Sequence, residues 1–222
     1  MPKIVAVMTT SRLTFADHAF QVAKAVGSLD MPMMWCQGVF WHVGITGLME
    51  EALKQDPEYI LTMDYDTAFE PEQVTALQCR MEARPDIDAL APMQANRHNG
   101  APLAVGLDRR EDGLIRARTA HFGLTLLRSS SLREFPKPWM MATPNENGSW
   151  RTSTAFDIYF WHKWNESGRT LYLDSDVSVG HYEMIVSWLN AELKPVHQLV
   201  ESYNQFGKPD LGGSSGNHKG VA

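Results

Sequence analysis

The run Tyr59-Ile60-Leu61-Thr62-Met63-Asp64-Tyr65-Asp66 does most to limit what this chain can fold into. It is an apolar segment that ends abruptly in two carboxylates one residue apart, and it reads as a buried strand opening onto a site that wants negative charge. Side chains at i and i+2 of an extended segment point the same way. Asp64 and Asp66 are therefore expected to converge on one cation of the hard, oxygen-seeking kind, Mg²⁺ or Mn²⁺. A loop or helix cap after a strand is the plainer account of an Asp-x-Asp, because Asp is a common turn residue. Its place favours the site, since open α/β sheets bind ligands at the C-terminal ends of their strands.

The flanking segments alternate between strand and helix. Residues 3–8 are predicted as a first strand, Thr9-Thr10-Ser11-Arg12 as the polar loop after it, and residues 15–26 as a helix with Phe15, Ala19, Val22 and Val26 at helical spacing. Residues 31–40 read as a second strand, 44–54 as a helix and 59–63 as the third strand. Pro71, at a first helical position, leads a helix to about residue 83. Beyond it the texture turns β-rich. Residues 87–93, 102–107, 114–117 and 123–127 read as short strands, with turn signals at Asn99-Gly100 and Asp112-Gly113. Residues 130–135 form a short helix, 153–167 a longer one ending at Gly168, 170–173 another strand, and 185–206 a last helix. The pattern predicts one α/β domain over 1–206, with 207–222 a flexible Gly- and Ser-bearing tail.

Composition closes off several function classes. With 44% apolar residues, seven Trp and nine Phe, the 222-residue chain has ample material for a core. Two cysteines, Cys36 and Cys79, are too few for a disulfide framework or a zinc site, so a reduced cytoplasmic setting is expected. No secretion signal and no membrane span is expected from the apolar runs. Residues 1–80 hold five Lys/Arg against ten Asp/Glu, while residues 81–140 hold nine against seven. Arg97, Arg109, Arg110, Arg116, Arg118, Arg128 and Arg133 would suit an anionic acceptor, but interleaved Asp108, Glu111 and Asp112 point to ordinary solvated surface. A pI near 5.7 argues against broad nucleic-acid affinity.

Three elements together resemble a known family: Asp64-Tyr65-Asp66 after the third strand, Phe156-Asp157 at the start of a helix, and Asp174-Ser175-Asp176-Val177-Ser178-Val179-Gly180-His181-Tyr182. In motif order, residues 3–184 are similar to the nucleotide-sugar glycosyltransferases of the GT-A fold, particularly the small family-2-like enzymes of bacteria and phages. The resemblance implies a Rossmann-like mixed sheet flanked by helices, with a nucleotide-binding half over 1–84 and an acceptor-side half over 85–184. It implies a divalent ion held by Asp66 and His181, with Asp64 assisting through the ion or the ribose of a nucleoside-diphosphate sugar. The imidazole of His181 suits Mn²⁺ better than Mg²⁺. Asp157 is the implied base, taking the proton of an acceptor hydroxyl in an inverting transfer; Phe156 stands where relatives carry Glu. As a plain sequence feature, Asp157 also suits a helix N-terminus.

The same resemblance places Thr9, Thr10, Ser11 and Arg12 near the donor nucleoside. The acid expected after the second strand is absent, with Cys36, Gln37 and Gly38 in its place, and Ile45-Thr46 stands where many relatives have Arg-Asn. Trp35, Phe40 and Trp41 suit stacking on a base or sugar, although such aromatics more often form core. The implied acceptor is a saccharide or other hydroxyl-bearing molecule, with a modified base of phage DNA a minor case and the host cytoplasm the setting if the chain is phage-encoded. Two other classes remain open: a haloacid-dehalogenase-type phosphohydrolase using Mg²⁺, whose Asp-x-Asp sits on a first strand and which expects Thr or Val where Ala68 stands, and a non-catalytic sugar- or nucleotide-binding module.

Overall fold

The apolar runs of the N-terminal part become neighbouring strands. In a computed structural model describing residues 3–11, 13–38, 40–95, 102–104, 109–150, 155–190 and 192–211, β1 (Ile4–Thr10) lies parallel between β2 (Met33–Gln37) and β3 (Tyr59–Asp64). A two-residue strand, β4 (Thr67–Ala68), follows β3. Four more sheet strands come from the β-rich part, β5 (Ala89–Gln94), β6 (Arg109–Glu111), β7 (Leu114–Arg116) and β8 (Leu124–Arg128), and then β9 (Leu171–His181). The order across the sheet is β2-β1-β3-β8-β5-β9-β7-β6, with β4 pairing off this path on β9. Insertion of β8 antiparallel between β3 and β5 makes the sheet mixed.

Alternation along each strand feeds two cores. Ile4 and Ala6 of β1 and Leu61 of β3 pack with Val22 and Ala25 of α1 (Ala16–Ser28) and with Leu77 and Met81 of α3 (Pro71–Ala83). Val5, Val7 and Ile60 join the other core with Ile45 and Met49 of α2 (Trp41–Leu53), Leu132 of α4 (Ser129–Arg133) and the aromatic face of α5 (Phe156–Glu166). Phe160, Trp161 and Trp164 of α5 are fully buried; each such side chain contributes on the order of 1.5–3 kcal/mol by leaving water. The Asp112-Gly113 turn joins β6 to β7 with positive φ at both residues, 49° and 79°, as a two-residue hairpin requires.

From Glu183 onward the chain forms a second compact unit. The single helix expected over 185–206 is not present. In its place an antiparallel hairpin, β10 (Ile185–Leu189) and β11 (Pro195–Leu199), runs into a short helix, α6 (Val200–Phe206). Pro195 lacks the N–H that a helix interior needs, and the side chain of Asn190 accepts from the N–H groups of Glu192 and Lys194 to close the turn. Val186 and Trp188 alternate with the exposed Ile185, Ser187 and Leu189, a period of two that helical spacing had masked.

Other expectations shift at their edges. The strand expected over 170–173 extends to His181, and the helix expected over 153–167 starts at Phe156. Of the strand expected over 102–107, residues 105–107 lie outside the described residues; Pro102 forms an isolated bridge to Ala95, and Leu103 N–H donates to Gln94 O at 2.7 Å. Arg12, Arg97, Asn99-Gly100, Asp108, Ser153 and the tail from residue 212 lie outside the described residues. Trp35 and Phe40, expected among core aromatics, are 62% and 68% exposed, because β2 is the sheet edge and Phe40 only precedes α2. Among the described residues no helix is long and apolar enough to cross a membrane.

Candidate functional site

A cavity of about 580 Å³ opens at the C-terminal end of β3, lined among others by Asp64, Asp66, Asp157, His181, Trp41 and His121. Three distant stretches of chain thus bring the two carboxylates of the Asp-x-Asp, the first-turn acid of α5 and the histidine at the end of β9 to one space.

Backbone pairing sets where the two aspartates go. Asp64 is the last residue of β3, and its N–H donates to Gly123 O at 3.1 Å. The strand does not continue through Asp66 as the extended i, i+2 geometry requires. Tyr65 and Asp66 form a turn, after which Thr67 and Ala68 pair antiparallel with His181 and Gly180. This turn, and not extension of β3, carries Asp66 to His181. Tyr182 N–H donates to Asp66 O at 2.8 Å, the His18 ring donates from Nδ1 to Thr67 O at 2.8 Å, and Thr14 Oγ1 donates to Tyr65 O at 3.2 Å. Phe15 stacks on Tyr182 with centroids 5.2 Å apart, so the segment after β1 is tied to the turn from two directions.

His181 Nε2 lies 3.3 Å from Asp66 Oδ2, and both side chains are nearly buried. The other ring nitrogen, Nδ1, faces Ala95 O at 3.4 Å. A carbonyl only accepts, so Nδ1 donates to Ala95 O, while Nε2 stands against the Asp66 carboxylate. That approach is favourable when a proton or a cation sits between the two atoms. The spacing suits neighbouring ligands of one ion, for which metal–ligand bonds of about 2.1 Å put adjacent donors roughly 3 Å apart. Asp64 is drawn elsewhere: its Oδ1 accepts from Trp41 Nε1 at 3.4 Å. Among the described residues no three His, Cys, Asp or Glu side chains are arranged to hold a metal together. Two protein ligands at this spacing would leave a hard cation's remaining positions to substrate phosphates and water.

Burial is the first cause that pushes the Asp64 carboxyl up from 3.8 to about 6; the neighbouring charge of Asp66 raises it further, while the Trp41 hydrogen bond and His181 oppose the shift and Asp157 adds to it. Two carboxylates in one water-poor corner raise the cost of ionising both. Asp157 is the second residue of α5, half-buried, with Oδ1 accepting from Ile158 N–H at 2.9 Å.

The floor of the cavity was not legible as a site. His121 is buried, its Nδ1 accepting from Gly123 N–H at 3.1 Å and its Nε2 donating to Pro92 O at 3.0 Å. Burial holds this ring neutral, lowering it from 6.5 to about 4. Gln94 Nε2 donates to Gly180 O at 3.1 Å and Thr67 Oγ1 at 3.4 Å. A Cβ at Gly123 would lie 2.6 Å from Thr67 Oγ1, 3.0 Å from His121 Nδ1 and 3.1 Å from Gln94 Oε1, so this close approach requires glycine. The only signal in sequence was a His two residues ahead of Gly123 and an apolar strand.

Of the residues expected at the donor nucleoside, Thr9 is buried at the end of β1 and its Oγ1 has no hydrogen-bond partner among the described residues. Thr10 Oγ1 donates to Ser11 O at 3.0 Å, and Ser11 Oγ to Leu13 O. None of the three lines the cavity. In the expected basic patch, Arg128 donates to the carbonyls of Ile87, Met81 and Arg84 and lies over the Tyr59 ring, Arg133 pairs with Asp56, and Arg116 donates to Arg169 O. These are structural ties. Asp174 and Asp176, within the third motif, both pair with Arg80 of α3 and anchor β9 to that helix.

No protein-family profile matches the chain, and no curated protein does. Among solved structures, the crystal structure of A197 from STIV is similar, with a TM-score of 0.58 and 13% identity over 89% of this chain and 94% of that one. At such identity the likeness is one of fold. The fold is a mixed α/β sheet flanked by helices, consistent with a Rossmann-like GT-A architecture.

Proposed function

We propose that the protein is a metal-dependent glycosyltransferase that moves a sugar from a nucleoside-diphosphate sugar to an acceptor hydroxyl with inversion. The observation that carries this is the convergence of Asp64, Asp66, Asp157 and His181 on one cavity at the C-terminal end of β3. Asp66 and His181 would hold a divalent cation, Mn²⁺ or Mg²⁺, which would supply Lewis-acid neutralisation of the charge that develops on the diphosphate. Asp64, held by Trp41, adds negative charge beside the ion and orients the donor. Asp157 accepts the proton of the acceptor hydroxyl as its oxygen attacks the anomeric carbon. The bond from that carbon to the phosphate oxygen breaks, and the diphosphate leaves with the electron pair.

The test is turnover of a panel of nucleotide sugars, scored by release of the nucleoside diphosphate. Activity is expected with Mn²⁺ and abolished by chelation. Asp157→Asn is expected to lose about 10²–10⁴-fold in rate while still binding cation and nucleotide. Activity that survives chelation, or Asp64→Ala and Asp66→Ala variants with wild-type turnover, would sink the proposal.

A further inference from the structure

Helix α1 and the residues just ahead of it hold the turn that carries Asp66 rung by rung. Thr14 donates from Oγ1 to Tyr65 O at 3.2 Å, His18 donates from Nδ1 to Thr67 O at 2.8 Å, and Gln21 Oε1 accepts from Phe69 N–H at 3.2 Å. One turn further on, Lys24 Nζ pairs with Glu70 Oε2 at 2.7 Å. The three backbone partners are every second residue of the chain. Between them, Asp66 O accepts from the N–H of Tyr182, which follows β9. Successive residues of an extended chain turn their N–H and C=O groups to alternate sides. Among the described residues β9 is the one strand that pairs with β4, so side chains of α1 fill the place that a further strand would take. The repeats are close enough for three rungs, since a helix rises about 5.4 Å per turn and a strand about 6.6 Å per two residues.

We infer that α1 serves as a surrogate strand whose middle rung, His18, is a positioning residue that holds Asp66 against His181. This rests on reading Asp66 and His181 as site residues. Thr67 pairs with His181 across the two-residue ladder of β4 and β9, so the bond from His18 to Thr67 O acts one residue from Asp66 and directly opposite His181. A ladder of two residues supplies little pairing of its own. The His18 ring is fully buried, with Nε2 3.3 Å from Met8 Sδ and Phe69 edge-on at 6.2 Å, and these contacts fix its orientation. The same stretch of chain reaches the end of β9: Phe15 stacks on the Tyr182 ring, and Gln21 hydrogen-bonds the Tyr182 side chain. Both segments that bring Asp66 and His181 together are thus gripped from α1. A buried histidine satisfied by a carbonyl is ordinarily packing. Packing needs only the volume of the ring, whereas positioning needs the donor at Nδ1.

Two variants separate volume from donor. His18→Leu keeps an apolar side chain of similar size and removes the donor; His18→Asn sets an amide nitrogen near the place of Nδ1 and gives up volume. Packing alone favours Leu, and positioning favours Asn. The first readout is amide hydrogen exchange in the full chain, following Tyr182 N–H against Ala89 N–H of β5, which donates to Thr170 O at 3.0 Å. Relative to Ala89, Tyr182 is expected to exchange about tenfold faster in His18→Leu and at nearly the wild-type rate in His18→Asn. The second readout is the thermal shift by nucleoside diphosphate with Mn²⁺, expected to be lost in His18→Leu and kept in His18→Asn. Thr14→Val, at an exposed position, removes an outer rung without touching the core and is expected to speed Tyr182 about threefold, which keeps the inference open to test if His18→Leu does not fold. An unchanged Tyr182 ratio in His18→Leu, or in Thr14→Val should the former not fold, would overturn the inference, as would equal effects of Leu and Asn at position 18. A Tyr182 ratio that rises with Leu and recovers with Asn, without any nucleotide shift in the wild type, would leave the role of α1 standing and remove the transferase reading. A wild-type nucleotide shift that both variants keep would do the reverse.

Discussion

The charged wall and the floor of the main cavity are built from the same materials and settled in opposite ways. On the wall, burial and the charge of Asp66 push the Asp64 carboxyl up to about 6, and His181 Nε2 lies 3.3 Å from Asp66 Oδ2. On the floor, His121 has both nitrogens occupied by backbone groups and Gln94 reaches Thr67 and Gly180. A polar group whose partners are all inside the protein is scaffold. On the wall, two carboxylates share one buried corner, a crowding of like charge that a bound cation would relieve.

The largest effect that separates wall from floor is on turnover. Asp66→Ala is expected to abolish measurable transfer and leave the melting temperature close to wild type or higher, whereas a floor variant should cost stability first. Gly123→Ala is that floor variant: with three polar atoms within 3.1 Å of the added Cβ, it is expected to destabilise by about 1–3 kcal/mol in a denaturant melt. If Gly123→Ala melts like wild type, the floor is not the tight scaffold described.

Next in size is the pH dependence of stability. The raised Asp64 carboxyl binds its proton more tightly in the folded state, so it favours folding at low pH, and that contribution is lost as pH rises from 3.8 to about 6. The lowered His121 has the opposite sign. Its contribution is present above 6.5 and is lost as pH falls toward about 4, and His18, also lowered by burial, adds in the same direction. Between pH 4 and 6 the two groups oppose each other. Asp64→Asn is therefore expected to stabilise the cation-free protein at pH 7 by about 1–3 kcal/mol, and to uncover a steeper loss of stability on acidification than the wild type shows. A variant less stable than wild type at pH 7 would contradict the conflict on the wall. Smallest is Trp41→Phe, which removes one long hydrogen bond to Asp64 and should shift the apparent carboxyl titration upward, with stability changed by about 1 kcal/mol or less.

The legibility of the two regions differs for the same physical reason. Wall residues announced themselves locally: an apolar run that stops at Asp64 and a helix that opens with Phe156-Asp157. Local pattern also predicted the α/β order of the first three strands and of α3. The floor depends on β8 inserting antiparallel between β3 and β5, a long-range event that alone brings Gly123 against Thr67, His121 and Gln94. Period and propensity do not encode it. The turn at Tyr65-Asp66 was hidden likewise, because its cause is the pairing of Thr67 with His181, more than a hundred residues away in the chain. After Glu183, apolar residues that fit both a helical and an alternating period were read as one helix, and Pro195 was the overlooked signal for a hairpin.

The most direct measurement is the thermal melt of the protein with nucleoside diphosphates, with and without Mn²⁺. A ligand that binds only the folded state at a hundredfold excess over its Kd adds about 2.7 kcal/mol, which for a chain of this size raises the Tm by roughly 5–10 °C. The predicted result is a rise that requires nucleotide and Mn²⁺ together and disappears in Asp66→Ala and His181→Ala. A rise of the same size without the cation, or one that persists in both variants, would contradict a metal-anchored donor site at the end of β3.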